Sequence, residues 1–188
     1  MVKLQRLMGA RPSEVCNLRP SDLDRSGDVW IYTPSEHKTE HHEKGRTIVI
    51  GPKAQKLLQP YLERAADSYC FSPAESERNR REAATQARTT PDSCGNRPGT
   101  NRIATPKRKA HDRYSTDSYR RAIHRACEAN SIAKWSPNRL RHTSATEIRR
   151  LFGLEAAQVV CGHESAEVTQ VYAERDLELA KKVARELG

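Results

Sequence analysis

The stretch from residue 73 to residue 113 limits where this chain can build a core, because large apolar side chains are almost missing from it. Its ten basic and five acidic residues leave a charge of +5, and Pro and Gly are scattered through it. A segment this polar cannot bury enough surface to offset the entropy lost on ordering. We therefore expect residues 73–113 to form a disordered insertion, with helix limited to Glu75–Ala87.

The length and charge of the chain indicate one domain with an anionic partner. A chain of 188 residues suits a single domain with a real core. The 33 Lys and Arg residues exceed the 24 Asp and Glu residues, and this +9 balance favours a polyanion. No apolar run approaches the roughly 18 residues of a membrane span, and no signal-peptide pattern is present. We expect a cytoplasmic protein without a membrane partner.

Helical periodicity is clear at the N-terminus. Leu4, Leu7 and Met8 are spaced as on one helix face, so a helix is predicted from Val2 to Met8 and ends at Gly9. Pro12 suits a first helical position, which places Arg11 at the start of a second helix.

Two β-branched and aromatic runs follow, at residues 28–33 and 46–50, and they predict two antiparallel strands joined by a long charged turn that carries Lys38. A helix is then expected from Pro52 to near Ala66, with Phe71 closing its packing. Its apolar stripe consists of Ala54, Leu57, Leu58, Tyr61 and Leu62.

The C-terminal part is predicted to be helical. Ser115 or Thr116 caps one helix, and Ser136-Pro137 caps another that carries Asn138, Arg141 and His142 near its start. Further helices are expected at Leu154–Val160, at Ala166–Tyr172 and from Asp176 to Leu187. The fold class is therefore mainly α, in the α+β sense, with a small antiparallel sheet.

The cysteine and histidine patterns predict neither disulfides nor a metal centre. The five cysteines are odd in number, widely spaced and never arranged as CxxC, so they are expected to be mostly buried small apolar residues. His37, His41 and His42 lie in a charged stretch without a clear fourth ligand and are expected on the surface of the hairpin. We expect no metal and no cofactor.

An ordered set of polar residues points to chemistry on a phosphodiester. Tyr172 lies nine residues after Gly162-His163 and precedes the last amphipathic helix. Alone, such a tyrosine would be read as half-buried core. The sequence also contains the cationic and hydrogen-bonding groups that a scissile phosphate needs. They are Arg11 and Glu14 near the N-terminus, Lys38 on the predicted turn, the run Asn138-Arg-Leu-Arg-His-Thr143, and His163.

In this order the residues resemble the tyrosine recombinases, the phage integrase family, from about Val2 to about Leu187 and most strongly in the C-terminal third. The resemblance implies a helical catalytic core with a small antiparallel sheet or hairpin. It also implies a site-specific recombinase or integrase of a mobile genetic element, which cleaves and rejoins double-stranded DNA through a 3′-phosphotyrosyl link without metal or ATP. The active assembly would be a homotetramer on paired sites, and the isolated domain a monomer.

The resemblance also implies a role for each residue. Tyr172 would be the nucleophile, and Arg11 and Arg141 would form the arginine pair that contacts the phosphate. Lys38 would be the general acid, with Lys44 as the alternative, and His163 would donate to a non-bridging oxygen. Glu14 would orient the arginine or its neighbours.

One position departs from the family pattern. Asn138 stands where the family most often has histidine, and an amide cannot act as a base. Deprotonation of Tyr172 is therefore open between water, the phosphate itself and His142.

Two other readings are weighed against the recombinase. A DNA-binding regulator could retain the fold without the chemistry, and Asn138 mildly favours that reading. A type IB topoisomerase shares the chemistry, but the sequence context that is characteristic of that group around its catalytic residues is not evident in this chain. The segment 73–113 could contact DNA or have no role, and the last helix could dock on a neighbouring protomer or on its own core.

Because the catalytic pattern starts near residue 1, we expect the N-terminal DNA-clamping domain to be absent and the chain to be a fragment.

Overall fold

The computed structural model describes residues 1–35, 46–91, 93–94 and 111–162, and this part of the chain is mainly helical with one small sheet. The strands are β1 (Leu23–Asp24), β2 (Trp30–Tyr32) and β3 (Ile48–Ile50). The helices are α1 (Val2–Met8), α2 (Pro12–Cys16), α3 (Pro52–Leu58), α4 (Pro73–Gln86), α5 (Thr116–Ala129) and α6 (Asn138–Cys161). The predicted fold class is confirmed.

The sheet contains the two predicted strands and a third that the sequence did not indicate. The order is β1-β2-β3 and both pairs are antiparallel, with Tyr32 opposite Leu23 on one side and Ile48 on the other. Strand β1 is only two residues long, too short for alternation to show. In β3, Ile48 and Ile50 face the core and Val49 faces outward, as the period of two requires.

The core lies between α1, α3 and the sheet, and a smaller cluster joins α2 to α5. Buried members of the first cluster include Leu4, Met8, Val15, Leu18, Tyr32, Ile48, Ile50 and Leu58. The second consists of Cys16, Tyr119, Ile123 and Cys127. Four of the five cysteines are buried, as expected for small apolar side chains, and Cys94 is exposed. No helix in the described ranges is long and apolar enough to cross a membrane.

Helix α3 ends earlier than the sequence pattern predicted. The stripe suggested a helix to near Ala66, but regular helix stops at Leu58 and Gln59–Tyr61 form a 3₁₀ turn. Pro60 explains the difference, because its ring has no N–H to donate and clashes with the preceding turn. Phe71 packs on Tyr61, with ring centroids 4.9 Å apart, as expected.

The first part of the polar segment is helical, as predicted. Helix α4 includes most of the helix proposed for Glu75–Ala87, and it contains no buried residue. Ser72 caps it by accepting from the Glu75 N–H, and Arg64 pairs with the Glu75 carboxylate at 3.1 Å. Residues 95–110 lie outside the described part of the chain.

Helix α6 is interrupted at Gly153, whose φ of 89° and ψ of 175° are not helical. The separate helix predicted at Leu154–Val160 is the part of α6 after this break. The pair Ser136-Pro137 lies at the start of α6 as predicted, with Pro137 at the cap position and no side-chain cap bond, and the Ser136 carbonyl accepts the Arg139 N–H. The helices predicted at residues 166–172 and 176–187 lie outside the described residues.

Adjacent leucines of α3 provide a test of this packing. Leu58 is fully buried, whereas Leu57 is 37% exposed although both belonged to the predicted stripe. We expect Leu58→Ala to lower the free energy of unfolding by about 2–5 kcal/mol through lost contacts and a residual cavity. Leu57→Ala makes the same change in the same helix and should cost less than about 1 kcal/mol. Urea unfolding of the two variants measures the difference, and equal losses would contradict the assigned face of α3.

Candidate catalytic site

The start of α2 holds a buried carboxylate against the Arg11 backbone and side chain. Arg11 has extended backbone angles at the N-cap, and Pro12 begins the helix. The Arg11 N–H donates to Glu14 Oε2 at 2.6 Å, and Arg11 Nη1 donates to Glu14 Oε1 at 3.0 Å. A carboxylate in the first turn also interacts favourably with the helix dipole. Arg11 is therefore fixed at the position where the sequence predicted it, beside the glutamate expected to orient it.

A second arginine shares the Glu14 carboxylate. Arg46 Nε donates to Glu14 Oε1 at 3.2 Å, and both side chains are almost completely buried. The Tyr32 hydroxyl donates to the Glu14 backbone carbonyl at 2.7 Å, which ties α2 to strand β2. Burial raises the pKa of the Tyr32 phenol, so this hydroxyl remains a donor. Glu14 is thus held from both its backbone and its side chain.

Arg141, in the first turns of α6, is bonded to two distant carbonyls. Its Nη1 donates to the Gly9 carbonyl at 2.8 Å, and its Nη2 donates to the Cys161 carbonyl. Gly9 ends α1 with a φ of 60°, a left-handed angle that favours glycine. Arg141 therefore connects the end of α1 to the end of α6.

The bond from Arg141 to Cys161 requires the chain to fold back at Gly153. Twenty residues of continuous helix would separate these positions by about 30 Å. Gly153 has backbone angles outside the helical region, and a residue with a Cβ rarely adopts its φ of 89°. The break at Gly153 therefore brings the end of α6 beside Arg141.

The resulting cluster has more positive than negative charge. Arg11 and Arg46 pair with the single carboxylate of Glu14, and Arg141 is near enough for its charge to interact with all three, so the group carries two more positive than negative charges. Burial lowers the pKa of Arg141, and the charges of Arg11 and Arg46 lower it further. A guanidinium still remains charged in proteins, so the cluster favours an anion.

Asn138 and His142 contact each other one turn apart on α6. Asn138 Nδ2 and His142 Nε2 are 3.2 Å apart. Because an amide nitrogen only donates, the imidazole accepts at Nε2 and is neutral. Burial lowers the pKa of His142, and the nearby Arg141 and Arg139 lower it further. His142 is therefore held in the form that can accept a proton.

Gly162 ends α6 beside the Arg46 side chain. Its φ is 60°, and a Cβ at this position would overlap the Arg46 guanidinium. A glycine at position 162 therefore permits this close approach, directly before His163 in the sequence.

Comparison with known proteins gives a match to one protein family. Residues 1–178 match the model of the phage integrase family. The chain belongs to this family. No curated protein sequence matches it.

Solved structures of two recombinases and a transposon integrase share the fold. The chain is similar to the XerA recombinase at 22% identity and a TM-score of 0.60, over 98% of this chain and 56% of that one. A Tn1549 transposon integrase in complex with circular intermediate DNA gives 17% identity and a TM-score of 0.59, over 100% and 58% of the two chains. The XerH site-specific recombinase bound to palindromic difH substrate gives 14% identity and 0.56, over 97% and 43%. The chain thus spans about half the length of these proteins.

The structure brings together part of the residue set expected for a phage integrase. Arg11, Glu14 and Arg141 lie in one cluster, and Asn138 and His142 lie on the helix of Arg141. Lys38, Lys44, His163 and Tyr172 lie outside the described residues, as do His37, His41 and His42. Their roles remain predictions.

Arg46 was not among the predicted site residues, because in the sequence it is only the first residue of a predicted strand. The signal was available, because Arg46 has the same parity as Ile48 and Ile50 and so lies on the inward face of the strand. A charged residue on a buried face needs a partner, and Glu14 is that partner.

The titration of His142 tests the electrostatics of this site. We expect its imidazole to titrate below the usual value of about 6.5, because burial and two arginines disfavour the protonated form. As the pH falls through the midpoint, Nε2 gains a proton and can no longer accept from Asn138. Arg139→Gln removes one of these cations and should raise the midpoint, whereas Arg125→Gln on α5 should leave it unchanged. Nuclear magnetic resonance titration of the ring protons measures both shifts, and a midpoint at or above 6.5 in the unaltered chain would contradict this account.

Proposed function

We propose that this chain is the catalytic domain of a tyrosine-type site-specific DNA recombinase, which cleaves and rejoins double-stranded DNA. The main support is the group of the partly exposed Arg11 and the buried Arg46 and Arg141 near Glu14, with its excess of positive charge. Planar guanidinium groups match the oxygens of a phosphodiester and stabilise the charge that develops on them. Membership of the phage integrase family agrees with this chemistry.

In the proposed reaction, the Tyr172 oxygen attacks phosphorus and forms a 3′-phosphotyrosyl bond while the bond from phosphorus to the 5′ oxygen breaks. The phenol proton leaves to a base, and Lys38 or Lys44 gives a proton to the departing 5′ oxygen. The phosphodiester bond energy is kept in the protein link. A second 5′-hydroxyl can therefore attack it, release Tyr172 and join a new strand.

The arginines and histidines would divide the remaining work. Arg11 and Arg141 neutralise the non-bridging oxygens, and His163 donates to one of them. Of the three candidate bases for Tyr172, His142 is the one supported by a described contact, because Asn138 orients its neutral ring. Asn138, which stands where the family most often has a histidine base, would then not accept the proton itself but would orient His142, which does.

Double-stranded DNA is the partner, and a homotetramer on two paired sites is the active assembly. The XerH and Tn1549 integrase structures, in which those proteins are bound to DNA, support this partner. A DNA-binding regulator without catalysis is the second candidate, which Asn138 favours because an amide cannot accept a proton.

Tyr172→Phe tests the nucleophile. The substitution removes one hydroxyl and no charge, so it should abolish the covalent protein–DNA adduct and leave DNA affinity unchanged. Tyr61→Phe, at a partly exposed tyrosine of the 3₁₀ turn, is the matched control and should form the adduct normally. Adducts on a randomised duplex library are detected in denaturing gels and their DNA is sequenced. Binding without any adduct from the unaltered chain would favour the regulator.

Arg141→Lys tests phosphate contact by the buried arginine. Lysine keeps the charge but lacks the planar fork, so we expect the single-turnover adduct rate to fall about 10²–10³-fold. Arg139→Lys makes the same change at an exposed position of the same helix and should have little effect. Circular dichroism confirms that both variants are folded, and equal adduct rates in a folded Arg141→Lys protein would refute this role.

A further inference from the structure

Arg46 connects three parts of the chain that carry or precede expected catalytic residues. Its Nε donates to Glu14 at the start of α2, and its Nη2 donates to the Val160 carbonyl near the end of α6 at 3.3 Å. Its Nη1 donates to the carbonyl of Thr47 at 3.2 Å. In sequence, Arg46 directly follows the stretch 36–45 that contains Lys38 and Lys44.

Burying the charges of Arg46 and Glu14 costs free energy unless the two groups are well paired. Arg46 is only 6% exposed and Glu14 only 1%. A buried ion pair is weak evidence for stability, because the loss of hydration offsets much of the attraction. Its geometric effect is more specific, because Glu14 Oε1 accepts from both Arg46 and Arg11. The position of the Arg11 guanidinium therefore depends on that of Arg46.

We propose that Arg46 is a positioning residue, which holds Arg11 through the shared Glu14 carboxylate and holds the turn at Gly162 through the Val160 carbonyl. His163 follows directly from this turn. The organising role is a property of the free protein, and its effect on strand cleavage rests on the proposed function.

The contacts require an arginine at position 46. Three nitrogens of one rigid group donate to a carboxylate and two carbonyls, whereas a lysine has a single nitrogen at the end of a flexible stem. Gly162 supports the same conclusion, because a Cβ there would overlap the guanidinium. The C-terminal end of α6 therefore packs closely against the Arg46 side chain.

The experiment compares Arg46→Lys with Arg64→Lys. Arg64 is the matched control, because it also pairs with a carboxylate, that of Glu75 at 3.1 Å, and donates to a backbone carbonyl, that of Tyr69 at 2.9 Å. Arg64 is absent from the groups whose charge acts on Arg141. Urea unfolding of both variants gives the global loss of stability, for which the other measurements are corrected.

Amide hydrogen exchange in the free protein is the first readout. The Val15 N–H donates to the Arg11 carbonyl, and the Gly162 N–H donates to the Val159 carbonyl. After correction for global stability, Arg46→Lys should speed exchange at both amides by about tenfold or more, and Arg64→Lys should not. Unchanged exchange at both amides in Arg46→Lys would overturn the inference whatever the DNA chemistry.

The rate of covalent adduct formation is the second readout. Arg46→Lys should lower the single-turnover rate about 10²-fold while DNA affinity stays within about twofold, because a small displacement of a catalytic group is costly. In a Glu14→Gln background the same change should lower the rate less than it does alone, because the part of the effect that runs through the carboxylate is already lost and the contact with the Val160 carbonyl remains. A normal adduct rate in Arg46→Lys would overturn its catalytic effect. No adduct from the unaltered chain would instead count against the proposed function, and the exchange data would still decide whether Arg46 organises the cluster.

Discussion

The buried Glu14 carboxylate is the constraint around which this site is built. A carboxylate removed from water needs donors on both oxygens, and Arg11 and Arg46 provide them through one backbone and two side-chain N–H groups. The two arginines belong to different local structures, so satisfying one carboxylate fixes the start of α2 relative to Arg46, two residues before β3. Arg141 then completes the group from α6 and leaves it with a net positive charge.

The helices could be predicted from the sequence where one face is clearly apolar. Periodicity and a terminal Gly9 predicted α1. The apolar spacing of Tyr119 and Ile123 predicted α5, and of the two predicted caps, Ser115 and Thr116, the structure has Ser115. Prediction was wrong where a local rule competed with periodicity. Apolar spacing continued past Leu58, but Pro60 ended regular hydrogen bonding. Within the polar 73–113 segment, the predicted helix is present as α4, with Ser72 as its cap.

The candidate site was predictable in its residue types but only partly in its connections. Arg11, Glu14 and Arg141 could be named from the order of motifs, and the structure groups them. Arg46 could have been found from its parity with Ile48 and Ile50, because a charged residue on an inward strand face requires a partner. The hydrogen bond from Arg141 to the Cys161 carbonyl could not have been predicted, because nothing in the sequence indicates that Gly153 adopts a φ of 89°.

The exposed position of helix α4 makes it a suitable place to label the protein. None of its residues is buried, and the described contacts that fix it to the rest of the chain are the pairing of Glu75 with Arg64 and the cap from Ser72. Farther along, Glu77 pairs with Arg80 and Arg81 of the same helix. Packing therefore sets almost no restriction on the identity of these side chains. A dye or an affinity tag attached to the outer turns of α4 would leave both apolar clusters and the arginine group untouched.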